Sequence, residues 1–383
     1  MNKELALHIA TEFQDQYHAT PLLSFAPGRI NIIGEHTDYN DGFVFPAAID
    51  KGVIAAMNRT DNDLCTVTAL NLDESHQFKL HQLSPIPNGG WKNYVIGVVA
   101  EIQKFGKELS HFNLMIHGDI PQGSGMSSSA ALENSIVFGL NSLFDLKLTK
   151  EEMILISQKA EHNYAGVQCG IMDQYASMFG QKDAALLLDC RTLEASSIPI
   201  DLKDHTLLLV NSNVSHSLAD SAYNRRRAIC ERVSKLLSIR NLRDANEEQV
   251  LGLIDSITSE ELSMALYVVQ ENQRVQKAVE LLQENNLNEL GQLLYQTHKG
   301  LKDQYQVSCE ELDFLVDFTK DRSSVLGARM MGGGFGGCTL NLIHQDDVEA
   351  FEQEISKAYK LAFLKECAFY KVTPSKGARI IAN

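Results

Sequence analysis

The sequence predicts an α+β fold in two domains, and three observations carry that expectation. Short apolar or alternating runs sit among segments with helical spacing, without a regular strand–helix–strand repeat. The 383 residues are more than a single domain of typical size holds. A turn-rich break, SSIPIDLKDH (196–205), separates two strand-like runs, AALLLD (184–189) and TLLLV (206–210). The boundary placed there gives domains over 1–195 and 196–383.

The elements follow in order. The first twenty residues mix charge with apolar positions at helical spacing and lack the continuous apolar core of a signal peptide. GVIAAM (52–57), CTVTAL (65–70) and FNLMIHG (112–118) read as strands. LSPIPNGG (83–90), with two prolines and Asn-Gly-Gly, reads as a surface loop. Leu132, Ile136, Leu140 and Leu143 fall at helical spacing. Thr149 and Glu152 form a T-x-x-E capping box that opens a second helix, expected to run to about His162. After the strand at 206–210 the chain reads as mostly helical from 219 to 320. It then enters RMMGGGFGGCTLNLIH (329–344), a glycine-rich loop leading into an alternating strand.

Composition narrows the function. Apolar residues are 44% of the chain, enough for a sizeable core. The formal charge of −15 repels nucleic acid and anionic membranes, so neither is an expected partner. No apolar run reaches the ~18 residues of a membrane span. The seven cysteines are odd in number, scattered and free of any C-x-x-C pair. That spacing predicts free thiols in a reducing cytoplasm.

Three stretches are too polar or too glycine-rich for a core. PGRINIIGEHTDYNDG (27–42) holds an Arg, a Glu, a His, two Asp and a Tyr. PQGSGMSSSAALE (121–133) lies between a predicted strand and a predicted helix. Gly123 and Gly125 permit tight turning, and the helix start offers free N–H groups and a positive dipole end to an anion. No Lys-Ser/Thr follows, so it is not a Walker A loop, and Ser128 replaces the third glycine of a dinucleotide fingerprint. MGGGFGGC (331–338) packs five glycines into eight residues, which implies close approach to backbone. Read alone, each piece has a plainer role: a capped serine turn, a hairpin, a solvated or structural side chain.

Together, in this order, the three stretches resemble the GHMP superfamily of small-molecule kinases. GRINIIGEHTDYNDG is similar to the galactokinase signature, and CGIMDQ (169–174) and NSNVSHSLADSAYNRRR (211–227) resemble segments of that family. The resemblance spans about residues 26 to 338. It implies a two-domain α+β GHMP kinase fold with the site in the interdomain cleft, and transfer of the ATP γ-phosphoryl to the anomeric hydroxyl of galactose. By the same resemblance Asp173 is the base and Arg29 the catalytic arginine. Glu35, His36, Thr37, Asp38 and Tyr223 face the sugar. Gly123, Ser124, Gly125, Met126, Ser127, Ser128 and Ser129 wrap the phosphates, and Trp91 lines the adenine pocket. Ser129 and Glu161 hold Mg²⁺. Met126 and Ala131 depart from the Leu and Ser common in the family, without touching the expected chemistry.

The partners so implied are galactose and ATP, and the chain is expected to act as a monomer. Another GHMP kinase, acting on an amino sugar, a pentose, mevalonate or homoserine, remains open. So does a non-catalytic sugar and ATP sensor, although a sensor would be expected to have lost Asp173 or Arg29. The Arg225–Arg227 triplet is left as a solvated helix face.

Overall fold

The fold comes from a computed structural model that describes residues 3–215 and 219–381. Positions 216–218 of the stretch at 211–227 lie outside the described residues.

The first half runs α1 (Lys3–Tyr17), β1 (Leu22–Asn31), β2 (Phe43–Val44), β3 (Pro46–Arg59), β4 (Cys65–Ala69) and β5 (Glu74–Phe78). It continues with α2 (Trp91–Lys104), β6 (Phe112–Gly118), α3 (Ser128–Phe144), α4 (Lys150–Ala160), α5 (Met172–Phe179), β7 (Ala184–Asp189) and β8 (Ala195–Pro199). The second half runs β9 (His205–Ser215), α6 (Ala219–Leu236), α7 (Glu247–Leu251), α8 (Ser259–Gln283), α9 (Leu287–Lys299) and α10 (Glu310–Asp317). β10 (Val325–Met330), β11 (Gly336–His344), α11 (Val348–Phe363), β12 (Ala368–Lys371) and β13 (Arg379–Ile381) complete it.

Strand periodicity divides the first sheet between two cores. Its order is β13-β1-β3-β6-β4-β5, with only β4 and β6 parallel among its described pairs. Successive side chains point to opposite faces. Leu23, Phe25, Ile54, Ala56 and Met115 therefore pack under α1 against Ile9 and Phe13. Ala55, Met57, Leu114 and Ile116 take the other face with Val98 of α2, Ile136 of α3 and Ile154 of α4. The capping box at Thr149 forms as its sequence predicts. The helix it opens ends at Ala160, and a π turn over Glu161–Ala165 follows, slightly beyond the expected end.

The second sheet has the order β10-β11-β9-β12. β11 alternates as expected, but its polar face is not solvated: Thr339 and Asn341 are fully buried. Asn341 Nδ2 donates to Leu208 O and Thr339 Oγ1, which offsets part of the cost of that burial. A third sheet, β2-β7-β8, carries the break between the halves, and the position chosen from sequence, 195/196, falls within β8. The chain end returns to pair β13 with β1 in the first sheet. Among the described residues no helix is long and apolar enough to cross a membrane, and all seven cysteines are free.

Candidate active site

The site begins where β1 runs against the loop ahead of α3. A Cβ on Gly28 would lie 2.4 Å from Met126 O, so only glycine lets the two backbones meet. Arg29 N then donates to Met126 O at 3.1 Å. Arg29, 4% exposed, donates from Nε and Nη2 of its side chain to both Asp173 oxygens at 2.8 and 2.9 Å. Its Nη1 donates to Gly125 O at 2.5 Å. Ser127 Oγ adds a third donor to Asp173 at 2.5 Å. A bidentate guanidinium–carboxylate pair of this kind fixes direction as well as charge.

The turn after β1 is pinned from the second half of the chain. Glu35 Oε1 accepts from Arg329 Nη2 at 2.9 Å and from Gly332 N at 2.8 Å. Arg329, wholly buried, also donates to the carbonyls of Ile32, Asn31 and Met330. These contacts hold the Glu35 carboxyl below its ordinary range despite burial. Gly34 N donates to the buried Glu271 of α8 at 2.9 Å. His36 is buried beside Tyr39, Tyr223 and Tyr305. Asp38 is pushed up to about 7, first by burial and then by the charge of Asp173. Thr37 Oγ1 is spent inside the turn, on Gly34 O and Phe43 O.

The loop between β6 and α3 carries Gly123 and Gly125 at φ of 67° and 71°, and Ser127 at 58°. The second glycine loop, 332–337, lies on its back. Cβ atoms on Gly332 and Gly337 would come within 3.3 Å of Gly125 O and Gly123 O respectively. The same loop faces the Tyr223 ring at Gly333.

A cluster of acids closes the far side. Ser129 Oγ donates to Glu161 Oε1 at 3.2 Å. Gln174 Nε2 bridges Glu161 and Glu133, at 2.9 and 3.3 Å. Burial and then Asp173 push Glu161 up to about 7; burial and then Glu161 push Glu133 well above the carboxylate range. Among the described residues no cationic side chain pairs with Glu161, and no three acidic, His or Cys side chains converge on a metal position. A divalent cation held by one hydroxyl, one carboxylate and phosphate oxygens needs no such trio, and the acid surplus around Glu161 suits it.

All of the expected site residues except Thr37 and Trp91 line one cleft of about 320 Å³. Trp91 opens α2 at the wall of an adjoining pocket of about 290 Å³ that includes Leu72, Ile120 and Leu132 and shares Ser128 and Ser129 with the cleft. Its indole Nε1 donates to Glu74 at 3.0 Å. The arginine triplet disperses: Arg225 pairs with Glu260 at the surface, Arg226 is buried on Tyr305 O, and Arg227 donates to Gln168 O. Sequence reasoning passed over Arg329, Glu133, Gln174, Tyr39 and Tyr305. A lone charge inside the apolar run VLGARM was the one signal that pointed to Arg329.

Comparison with known proteins places the chain in a family. Family models match for the GHMP kinases N terminal domain over residues 93–181 and the GHMP kinases C terminal region over 278–361. A model for the galactokinase galactose-binding signature matches residues 11–59. Galactokinase of Thermotoga neapolitana is 40% identical over 357 residues, 93% of this chain and 99% of that protein. Galactokinase of Thermosipho africanus is 40% identical over 92% of this chain and 97% of its own length. The crystal structure of Lactococcus lactis galactokinase complexed with galactose superposes with a TM-score of 0.93 at 34% identity, covering 98% of this chain and 100% of that one. Mevalonate kinase of Methanococcus jannaschii, 16% identical over 94% of this chain and 99% of its own with a TM-score of 0.64, shares the fold. Fold and cleft thus define an ATP-dependent kinase of the GHMP class. Within that class, the chain belongs to the galactokinase family.

Proposed function

We propose that this chain transfers the γ-phosphoryl group of ATP to the anomeric hydroxyl of galactose, giving galactose 1-phosphate and ADP. The observation that carries the mechanism is the Arg29–Asp173 pair, tied through Gly125 O to the loop ahead of α3. Glu35, His36, Asp38 and Tyr223 bind the sugar hydroxyls. Thr37 acts indirectly, by holding the turn that presents its neighbours. Asp173 takes the proton of the anomeric hydroxyl as its oxygen attacks the γ-phosphorus. The bond from that phosphorus to the bridging oxygen breaks, and ADP leaves. Arg29 orients the Asp173 carboxylate through two hydrogen bonds and offers positive charge beside the transferring group. The residues from Gly123 to Ser129 wrap the phosphates with backbone N–H groups at the start of α3. The pocket at Trp91 takes the adenine. Ser129 and Glu161 hold Mg²⁺, which neutralises phosphate charge when bound. We further propose that the enzyme works as a cytoplasmic monomer without nucleic acid.

The experiment is ATP consumption by purified protein with Mg²⁺ and galactose, 2-deoxygalactose, glucose, N-acetylgalactosamine, arabinose or mevalonate. Fast turnover on galactose and little on glucose is the expected result. No turnover, with galactose still bound by calorimetry, would replace this reading with that of a sensor.

A further inference from the structure

We infer that Tyr39 and Tyr305 are positioning residues for the substrate, fixing the proton of His36 on Nε2 so that His36 meets the sugar as a hydrogen-bond donor. The inference rests on the reading of the cleft as a sugar site. It adds a direction of hydrogen bonding and the two residues that set it.

The observation is a buried chain of four polar groups. His36 Nδ1 lies 2.8 Å from Tyr39 Oη. Tyr39 Oη lies 2.7 Å from Tyr305 Oη. Tyr305 Oη lies 3.3 Å from Cys230 Sγ. All four residues are less than a tenth exposed, so bulk water does not compete for their hydrogen bonds. At the other end of the ring, His36 Nε2 is buried and has no hydrogen-bond partner, although the residue lines the cleft.

Such a chain can run in either direction. Running away from His36, the imidazole N–H donates to a phenol oxygen and the last phenol donates to sulfur. Running toward it, the Cys230 thiol donates to Tyr305, Tyr305 to Tyr39, and the Tyr39 hydroxyl to the Nδ1 lone pair. The two directions differ only at the ends of the chain, and the second uses the imidazole nitrogen, a strong acceptor, in place of the thiol sulfur, a weak one. The links also polarise one another in the same sense. With Nδ1 taken by the Tyr39 hydroxyl, the one proton of a neutral ring is left to Nε2. Burial, aided by Arg226 and opposed by Glu35 and Gly333, keeps the ring neutral by pushing it down to about 4. A neutral imidazole has one proton, and the hydrogen bond at one nitrogen decides where it sits.

The consequence is selective. Glu35 and Asp38, when ionised, only accept hydrogen bonds, whereas His36 held this way only donates. The sugar group opposite Nε2 must therefore present a lone pair. A fluorine there can still accept, whereas a hydrogen cannot.

The test is ¹⁵N NMR of protein selectively labelled at histidine, with His36→Gln identifying the signal, alongside kinetics of Tyr39→Phe and Tyr305→Phe. In the unmodified protein Nδ1 should be pyridine-like and Nε2 pyrrole-like. In Tyr39→Phe the two should move toward a mixture. KM for galactose should rise by roughly tenfold, the scale of one lost hydrogen bond, with kcat nearly unchanged. Tyr305→Phe should move both readouts the same way by less. Among monofluoro and monodeoxy galactoses, one position should favour fluorine over hydrogen, and Tyr39→Phe should erase that preference. A proton on Nδ1 in the unmodified protein, or an unchanged tautomer in both variants, would overturn the inference. If Tyr39→Phe does not fold, the unmodified spectrum and Tyr305→Phe decide it. Absence of any sugar turnover would sink the proposed function instead, while the NMR result still reads the tautomer.

Discussion

Arg29 and Asp173 meet through two parallel hydrogen bonds of 2.8 and 2.9 Å although 144 positions separate them in the chain. One comes from the end of β1 and the other from the first turn of α5, so the pair exists only once the first half has folded. Asp173→Asn keeps the shape and removes the base. The expected outcome is a fall in kcat of roughly 10²-fold or more, with galactose binding retained by calorimetry. Near-normal turnover would remove Asp173 from the mechanism.

Arg329 and Glu35 form a buried pair, 0% and 2% exposed at their side chains. Arg329→Met leaves Glu35 charged without its partner and frees three backbone carbonyls. A loss of roughly 3–5 kcal/mol is expected in chemical denaturation, the scale of one broken buried pair. Adding Glu35→Gln should restore part of that stability while sugar binding stays weak. A double variant no more stable than the single one would show that the carbonyls, and not the charge, dominate.

Asp38 predicts a pH dependence. Its native pKa of about 7 lies above the ordinary 3.8, so the folded state binds the proton more tightly than the unfolded chain. The associated stability is fully present below the unfolded value and is lost as pH rises through the folded one. Denaturation of ligand-free protein should therefore show stability from this group falling between about pH 4 and about pH 7. Asp38→Asn should flatten that fall. An identical slope in the variant would assign it to other acids.

Gly125 tests the contact between the two glycine loops. Its φ is +71°, and a Cβ would stand 3.1 Å from Met331 O. Gly125→Ala should cost roughly 1–2 kcal/mol from the backbone alone and also displace the loop. KM for ATP should rise while galactose affinity holds. Gly106, at φ +79° with open space around its Cβ position, is the control. Gly106→Ala should lose comparable stability and leave KM for ATP alone.

Much of the site was legible because its residues are close in sequence and chemically conspicuous. The run from Glu35 to Asp38 and the loop from Gly123 to Ser129 have no use in a core, and both reach one cleft. Thr37 was grouped with its neighbours because adjacency in sequence says nothing about which way a side chain points. In the turn its hydroxyl faces inward to Gly34 O and Phe43 O. Arg329 and Glu271 escaped notice because their importance comes from burial, and burial is a property of what packs around a residue.

The sequence by itself determined the local frame: strands with period two, a capped helix at Thr149, glycines where backbones touch, and the kind of chemistry these motifs serve. Tertiary structure alone decided which charges became partners. It brought Arg29 to Asp173, set Arg329 under Glu35, and gathered Glu133, Glu161 and Asp173 into one acid-rich corner. The physical reason is that propensity and periodicity act over a few residues. Coulombic energy and desolvation depend on distance through space, and the fold alone sets that distance.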